Sequence, residues 1–131
     1  MSASLMSLCD RHRAIAERED QLYSLLGDVE RMLAENYDWL QLTRVQKRAL
    51  PAAQIMYDME DELEALGRES SEIIIALQSH PAASLPEALA KLEIVAHVID
   101  PDDYPYAYAV LAGTIADLSA LSAASSASLS P

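Results

Sequence analysis

The sequence predicts an all-α protein: a long antiparallel helical hairpin with two shorter C-terminal helices, forming a helical bundle that is dimeric. Two apolar seams with steps of three and four residues carry the prediction. Composition supports it, with 3 glycines, no phenylalanine and 5% aromatic residues, a poor supply for a β-sandwich or barrel. Hydrophobic residues make up 51% of the 131, enough for one core in a chain of single-domain length.

The first seam runs through Leu5, Leu8, His12, Ile15, Glu19, Leu22, Leu26, Val29 and Leu33. Ser2 or Ser4 can cap its start. The phase passes Gly27 undisturbed, so that glycine reads as a tolerated cost of about 1 kcal/mol rather than a break. Near Asn36 the helix ends or bends. Asp38 with Gln41 reads as a variant capping box opening a short helix to about Ala49, with Trp39, Leu42 and Val45 available for packing. Pro51 stops it, having no amide hydrogen and disfavouring α conformation at Leu50. A second seam follows, Met56, Met59, Leu63, Leu66, Ser70, Ile73 and Leu77, and its phase runs through Gly67 to the Ser79-His80-Pro81 stop.

Ser84-Leu85-Pro86-Glu87 places a capping serine, a first-turn proline and a glutamate at the third position, a strong helix start. The helix it opens is expected to turn Leu85, Leu89, Leu92, Ala96 and Ile99 inward. Asp100-Pro101-Asp102-Asp103 reads as a turn. Asp103 is then expected to cap a last helix bearing Tyr104, Tyr108, Leu111, Ile115 and Leu118 on one face. Residues 1–121 form a single helical domain in this reading, and 122–131 a flexible Ser/Ala-rich tail.

Two helices of roughly 30 residues extend about 45 Å, and the final pair is expected to cover only part of them. A bare apolar seam is costly in water, and a second copy is its simplest cover. The expected homodimer interface comprises Leu5, Leu8, His12, Ile15, Glu19 and Leu22 on the first long helix, with Met56, Met59 and Leu63 on the second. His12 and Glu19 interrupt the seam, where polar residues can set register but need partners if buried. A di-metal bundle site would require Glu-x-x-His pairs on two helices, and the chain has none.

The net charge of −12 argues against nucleic-acid binding, which needs clustered cations. Charge is uneven: residues 1–48 hold seven cations and eight acids, a net of −1, and residues 49–131 hold two cations and thirteen acids, a net of −11. Such asymmetry suits a solvated face or a basic protein partner. Arg44, Lys47 and Arg48 make a basic knuckle near the bend, expected to pair with acids rather than phosphate. The single cysteine, Cys9, excludes an intramolecular disulfide and reads as a packed thiol. The first ten residues lack the basic and apolar regions of a signal peptide, and no uncharged apolar window of about 18 residues is present. A cytoplasmic protein with no membrane contact is expected.

No complete catalytic set emerges, and no cofactor is implied. The nearest is Glu60, Asp61 and Glu64, which match with one conservative change the E-E-x-x-E spacing by which all-α nucleotide pyrophosphohydrolases hold Mg²⁺. Those enzymes add an E-x-x-D pair on a later helix; here Glu87 is followed at three by Ala90 and Glu93 by Ala96. A divalent-metal phosphate-ester hydrolase is thus the alternative, and a small-ligand sensor using Tyr104 and Tyr108 a third reading. Glu93, His97 and Asp100 share a helix stripe, but a histidine in a last turn already suits the helix dipole.

Arg11-His12-Arg13-Ala14, the run Pro81 to Leu92 and the run Val110 to Leu118, in that order and spacing, resemble small all-helical proteins of alphaproteobacteria, some of them prophage-associated. Those carry an A-H-R-A first helix, a P-x-T-T-x-x-G-x-x-A-K segment and a closing leucine-rich helix. This chain departs with Ser84 where threonine is usual and with Glu87 or Ala88 near the glycine. The resemblance implies a helical fold and a bacterial cytoplasmic setting and brings no activity with it. The expectation is therefore a non-enzymatic helical interaction or assembly module, self-associating through the long hairpin.

Overall fold

A computed structural model describes residues 4–128, and every regular element among them is helical. The α-helices are α1 (Leu5–Asn36), α2 (Arg44–Ala49), α3 (Gln54–Leu77), α4 (Leu85–Val98) and α5 (Pro105–Ser128), with 3-10 turns at Trp39–Gln41 and Pro51–Ala53. The protein is all-α. The chain divides into two compact units, one spanning Ala14–Glu72 and the other joining the residues up to Arg13 with those from Ile73 onward.

Within the Ala14–Glu72 unit, helix continues through both glycines. A methyl group added at Gly27 or Gly67 would meet no atom within 4 Å, so neither glycine is required by packing. The seams supply the buried residues: Ile15, Leu22 and Leu33 from α1, and Met56, Met59 and Leu66 from α3, with Ala53 just before it. Leu33, Ala53 and Met56 form a cluster against which Leu26, Val29, Trp39, Leu50 and Tyr57 pack. Arg18 grips the Glu62 carboxylate with two hydrogen bonds of 2.9 and 3.0 Å, the fork geometry that suits guanidinium to carboxylate.

The bend differs from expectation. Asp38 does not cap a helix with its side chain; it adopts left-handed backbone, φ 51°, a conformation aspartate tolerates better than most residues, and leads into the 3-10 turn. The capping box sits at Thr43 instead. Its hydroxyl accepts from the Gln46 amide at 3.2 Å, and the Gln46 side chain accepts from the Thr43 amide at 2.9 Å. Thr43-x-x-Gln46 satisfies both orphan donors, whereas Asp38 serves the left-handed step into the 3-10 turn.

In the other unit, Leu5, Cys9 and His12 of α1, Ile73 and Leu77 of α3, and Ala90 and Ile94 of α4 are buried. Ser84 caps α4 as expected, accepting from the Glu87 amide at 3.3 Å. The Glu87 carboxylate reaches back one residue further than a capping box requires, to the Ala83 amide at 3.1 Å. Lys91 donates to the His80 carbonyl at 2.7 Å, tying α4 to the loop after α3. The residues expected inward on α4 are half-buried or exposed, and the buried stripe is Ala90 and Ile94. The helix is engaged on several sides, by the His80 loop, by Arg13 of α1 through Glu93 at 3.2 Å, and by α5, so the ridge between these neighbours is the driest.

Asp100, not Asp103, organises the turn before α5. Its carboxylate accepts from the Asp102 amide at 2.9 Å, and its carbonyl accepts from the Asp103 and Tyr104 amides at 3.2 Å each. Helix α5 then continues to Ser128, through the start of the stretch read as a tail. Residues 129–131 of that tail lie outside the described residues. Tyr108, Leu111, Ile115 and Leu118 are half-buried along one line of α5, while Tyr104 is exposed.

Candidate interaction surfaces

Of the residues expected at a dimer interface, Leu5, His12, Ile15, Leu22, Met56 and Met59 are buried within the single chain, and Leu8, Glu19 and Leu63 are half-buried. This corrects the premise of that interface. Six of the nine residues are core of the single chain, and Leu8, Glu19 and Leu63 keep part of their surface in water. Trp39 and Leu50 at the bend pack on the cluster holding Met56, and His97 of α4 meets His12, cover that helix lengths alone did not reveal.

Around His12 the unit containing it is dry. His12 is 3% exposed and its ring meets His97 edge-on, with centroids 6.1 Å apart. Burial, and then the neighbouring His97, hold its pKa below the usual imidazole value. Cys9 is fully buried, and that burial pushes its thiol up despite the opposing pull of Arg13. Thiolate chemistry is suppressed there.

The acidic triplet does not assemble a metal site. Glu60, Asp61 and Glu64 are exposed, Glu64 binds Arg68 at 2.9 Å, and among the described residues no three His, Cys, Asp or Glu side chains are grouped to hold an ion. Between α4 and α5 a shallow groove of about 340 Å³ is lined by Glu93, His97, Tyr108 and Ile115. Tyr108 reaches it, but Tyr104 is not among its walls, so the two tyrosines named for a ligand pocket are not brought together.

Helix α5 is the surface that sequence reading undervalued. Tyr106, Val110 and Leu121 are 88, 70 and 64% exposed, and none of its residues from Pro105 to Ser125 is fully buried. The segment Pro105–Ser125 is long and apolar enough to cross a membrane by length and composition. The stricter requirement of an uncharged window passes over it because of Asp117. That acid also weighs against insertion: at a helix centre it costs about 2.5 to 3.5 kcal/mol, whereas Val110, Leu111, Ile115, Leu118 and Leu121 together return at most about 3 kcal/mol. The signal available in the sequence was the absence of polar periodicity, since a helix apolar all round is normally covered.

The second surface is the α2 bend. Among the described residues, Arg44, Lys47 and Arg48 pair with no carboxylate, contrary to the expectation that they would meet acids. Lys47 lies 5.0 Å from the Trp39 ring centre and Arg48 stacks 4.1 Å from that of Tyr57. Val45, expected to be available for packing, is 79% exposed, and Leu40 is 80% exposed. Set against known proteins, the chain matches no family model, no curated protein and no solved structure.

Proposed function

We propose that the protein is a non-enzymatic helical interaction module that self-associates in the cytoplasm, with α5 rather than the long-helix seam as its contact surface. The observation that carries this reading is the exposure of apolar side chains around a 24-residue helix whose only charge is Asp117. Two copies of a chain at −12 repel each other, and they do so least where charges are fewest. Ala109, Ala112, Gly113, Ala116 and Ala120 are all exposed, and small residues let helix axes approach to about 8 Å. An antiparallel hairpin of α1 and α3 is the scaffold in this reading. It is supported within the Ala14–Glu72 unit by the Arg18–Glu62 pair and by Leu33 packing with Ala53 and Met56, which run in opposite senses along the two helices.

Sedimentation velocity across a concentration series tests the proposal. A mass rising with concentration is expected for the native chain and is lost in Val110→Gln/Leu121→Gln, whose exposed positions leave the fold intact. A native chain that stays monomeric, or a double variant that associates equally well, overturns it. The alternative metal-dependent hydrolase rests only on the spacing of Glu60, Asp61 and Glu64, with no converging geometry to favour it.

A further inference from the structure

Between Asp38 and Asp58 the chain carries three cations and no acid, within a protein at −12. Lys47 and Arg48 are held on aromatic rings and Arg44 projects without an acidic partner among the described residues, so the charge of the bend is not neutralised locally. Two nearly bare aliphatic side chains, Leu40 and Val45, accompany that charge. Elsewhere the turn before α5 concentrates Asp100, Asp102 and Asp103, all exposed, and continues into Tyr104 and Tyr106, which are 65 and 88% exposed. One surface is basic and aliphatic, the other acidic and aromatic. They are complementary in sign and both offer apolar area.

We propose that the α2 bend is a docking surface for a second copy of the chain, bound head to tail through its Asp100–Tyr106 segment. The contact meets α5 only in its first turn, at Tyr106, and does not use Val110 or Leu121. Arg44, Lys47 and Arg48 face the carboxylates of Asp102 and Asp103, and Leu40 and Val45 pack on the tyrosine rings. A heterologous contact of this kind leaves each copy with an open bend and an open turn, so association continues into chains or closes into a ring.

The full chain carrying Val110→Gln/Leu121→Gln, which removes the α5 contact, provides the test. Its association is measured by sedimentation at about 10 mM salt, where charges act over about 30 Å, and at about 150 mM, where their reach falls to about 8 Å. Association is expected at low salt and weakens at the higher salt. Arg44→Glu/Arg48→Glu weakens it about tenfold or more, and so does Asp102→Lys/Asp103→Lys; the four changes together restore it. The second pair is diagnostic, because four added charges bring the net from −12 to about −8 and would strengthen any association governed by overall repulsion. Absence of association in the parent, insensitivity to either reversal, or no recovery in the combined variant overturns the proposal. If the Gln variant associates as well as the native chain yet responds to the reversals, the α5 reading fails and this one stands.

Discussion

Helices α3 and α5 have the same length, 24 residues each, and opposite fates. Helix α3 is the more polar, with acids at Glu60, Asp61, Glu62 and Glu64, yet it buries Met56, Met59, Leu66, Ile73 and Leu77. Helix α5 has a single charge and fully buries none of its residues up to Ser125. What separates them is angular order. On α3 the apolar residues recur every three or four positions and converge on one face, with Met56, Met59 and Leu66 buried in the Ala14–Glu72 unit and Ile73 and Leu77 in the other. On α5 they surround the axis, and packing with α4 leaves Tyr108, Leu111, Ile115 and Leu118 half-buried along one line. Burial follows pattern rather than apolar content, and the surplus on α5 stays exposed in the single chain.

The largest effect that could break this contrast is in the seam. Ile15→Ala, at a residue 1% exposed, is expected to lower unfolding free energy by about 2 to 5 kcal/mol. Val110→Ala on α5 should change it by no more than about 0.5 kcal/mol in dilute solution. Denaturant melts of both variants decide the matter, and a Val110 cost that grows with protein concentration would locate the partner on α5 directly.

A second measurement sharpens the view of the seam as dry core. His12 has a depressed pKa in the folded chain, so the unfolded chain takes up a proton first as pH falls. The stability it contributes is complete above the unfolded imidazole value near 6.5 and is lost progressively below it, towards the folded pKa. Thermal melts between pH 7.5 and about 5 should show a falling Tm in the native chain and a shallower slope in His12→Leu. Equal slopes would mean that His12 is hydrated.

The smallest effect concerns the seam helices' own backbone. Gly67→Ala is expected to stabilise by about 0.5 to 1 kcal/mol, because an interior glycine costs entropy and the added methyl meets no atom. A loss measured by the same denaturant melt would show that the α3 face at Gly67 is covered in solution.

Much of this was legible in the residues taken in order. The apolar phase through Gly27 and Gly67 specified two long unbroken helices, and Ser84 with Pro86 and Glu87 marked the start of α4. Thr43 with Gln46 carries as good a start signal as Asp38 with Gln41; an aspartate serves a cap or a left-handed turn, and backbone geometry alone separates the two. Asp100 and Asp103 posed the same ambiguity before α5.

Helicity and the inward line of each seam were determined by the sequence, because hydrogen bonding within a helix and its 3.6-residue repeat are local properties. Which apolar surface stays in water was decided only by the tertiary structure. Cover is supplied by residues distant in the chain, so most of the seam became core, most of α5 stayed exposed, and Lys47 and Arg48 settled on aromatic rings instead of finding carboxylates.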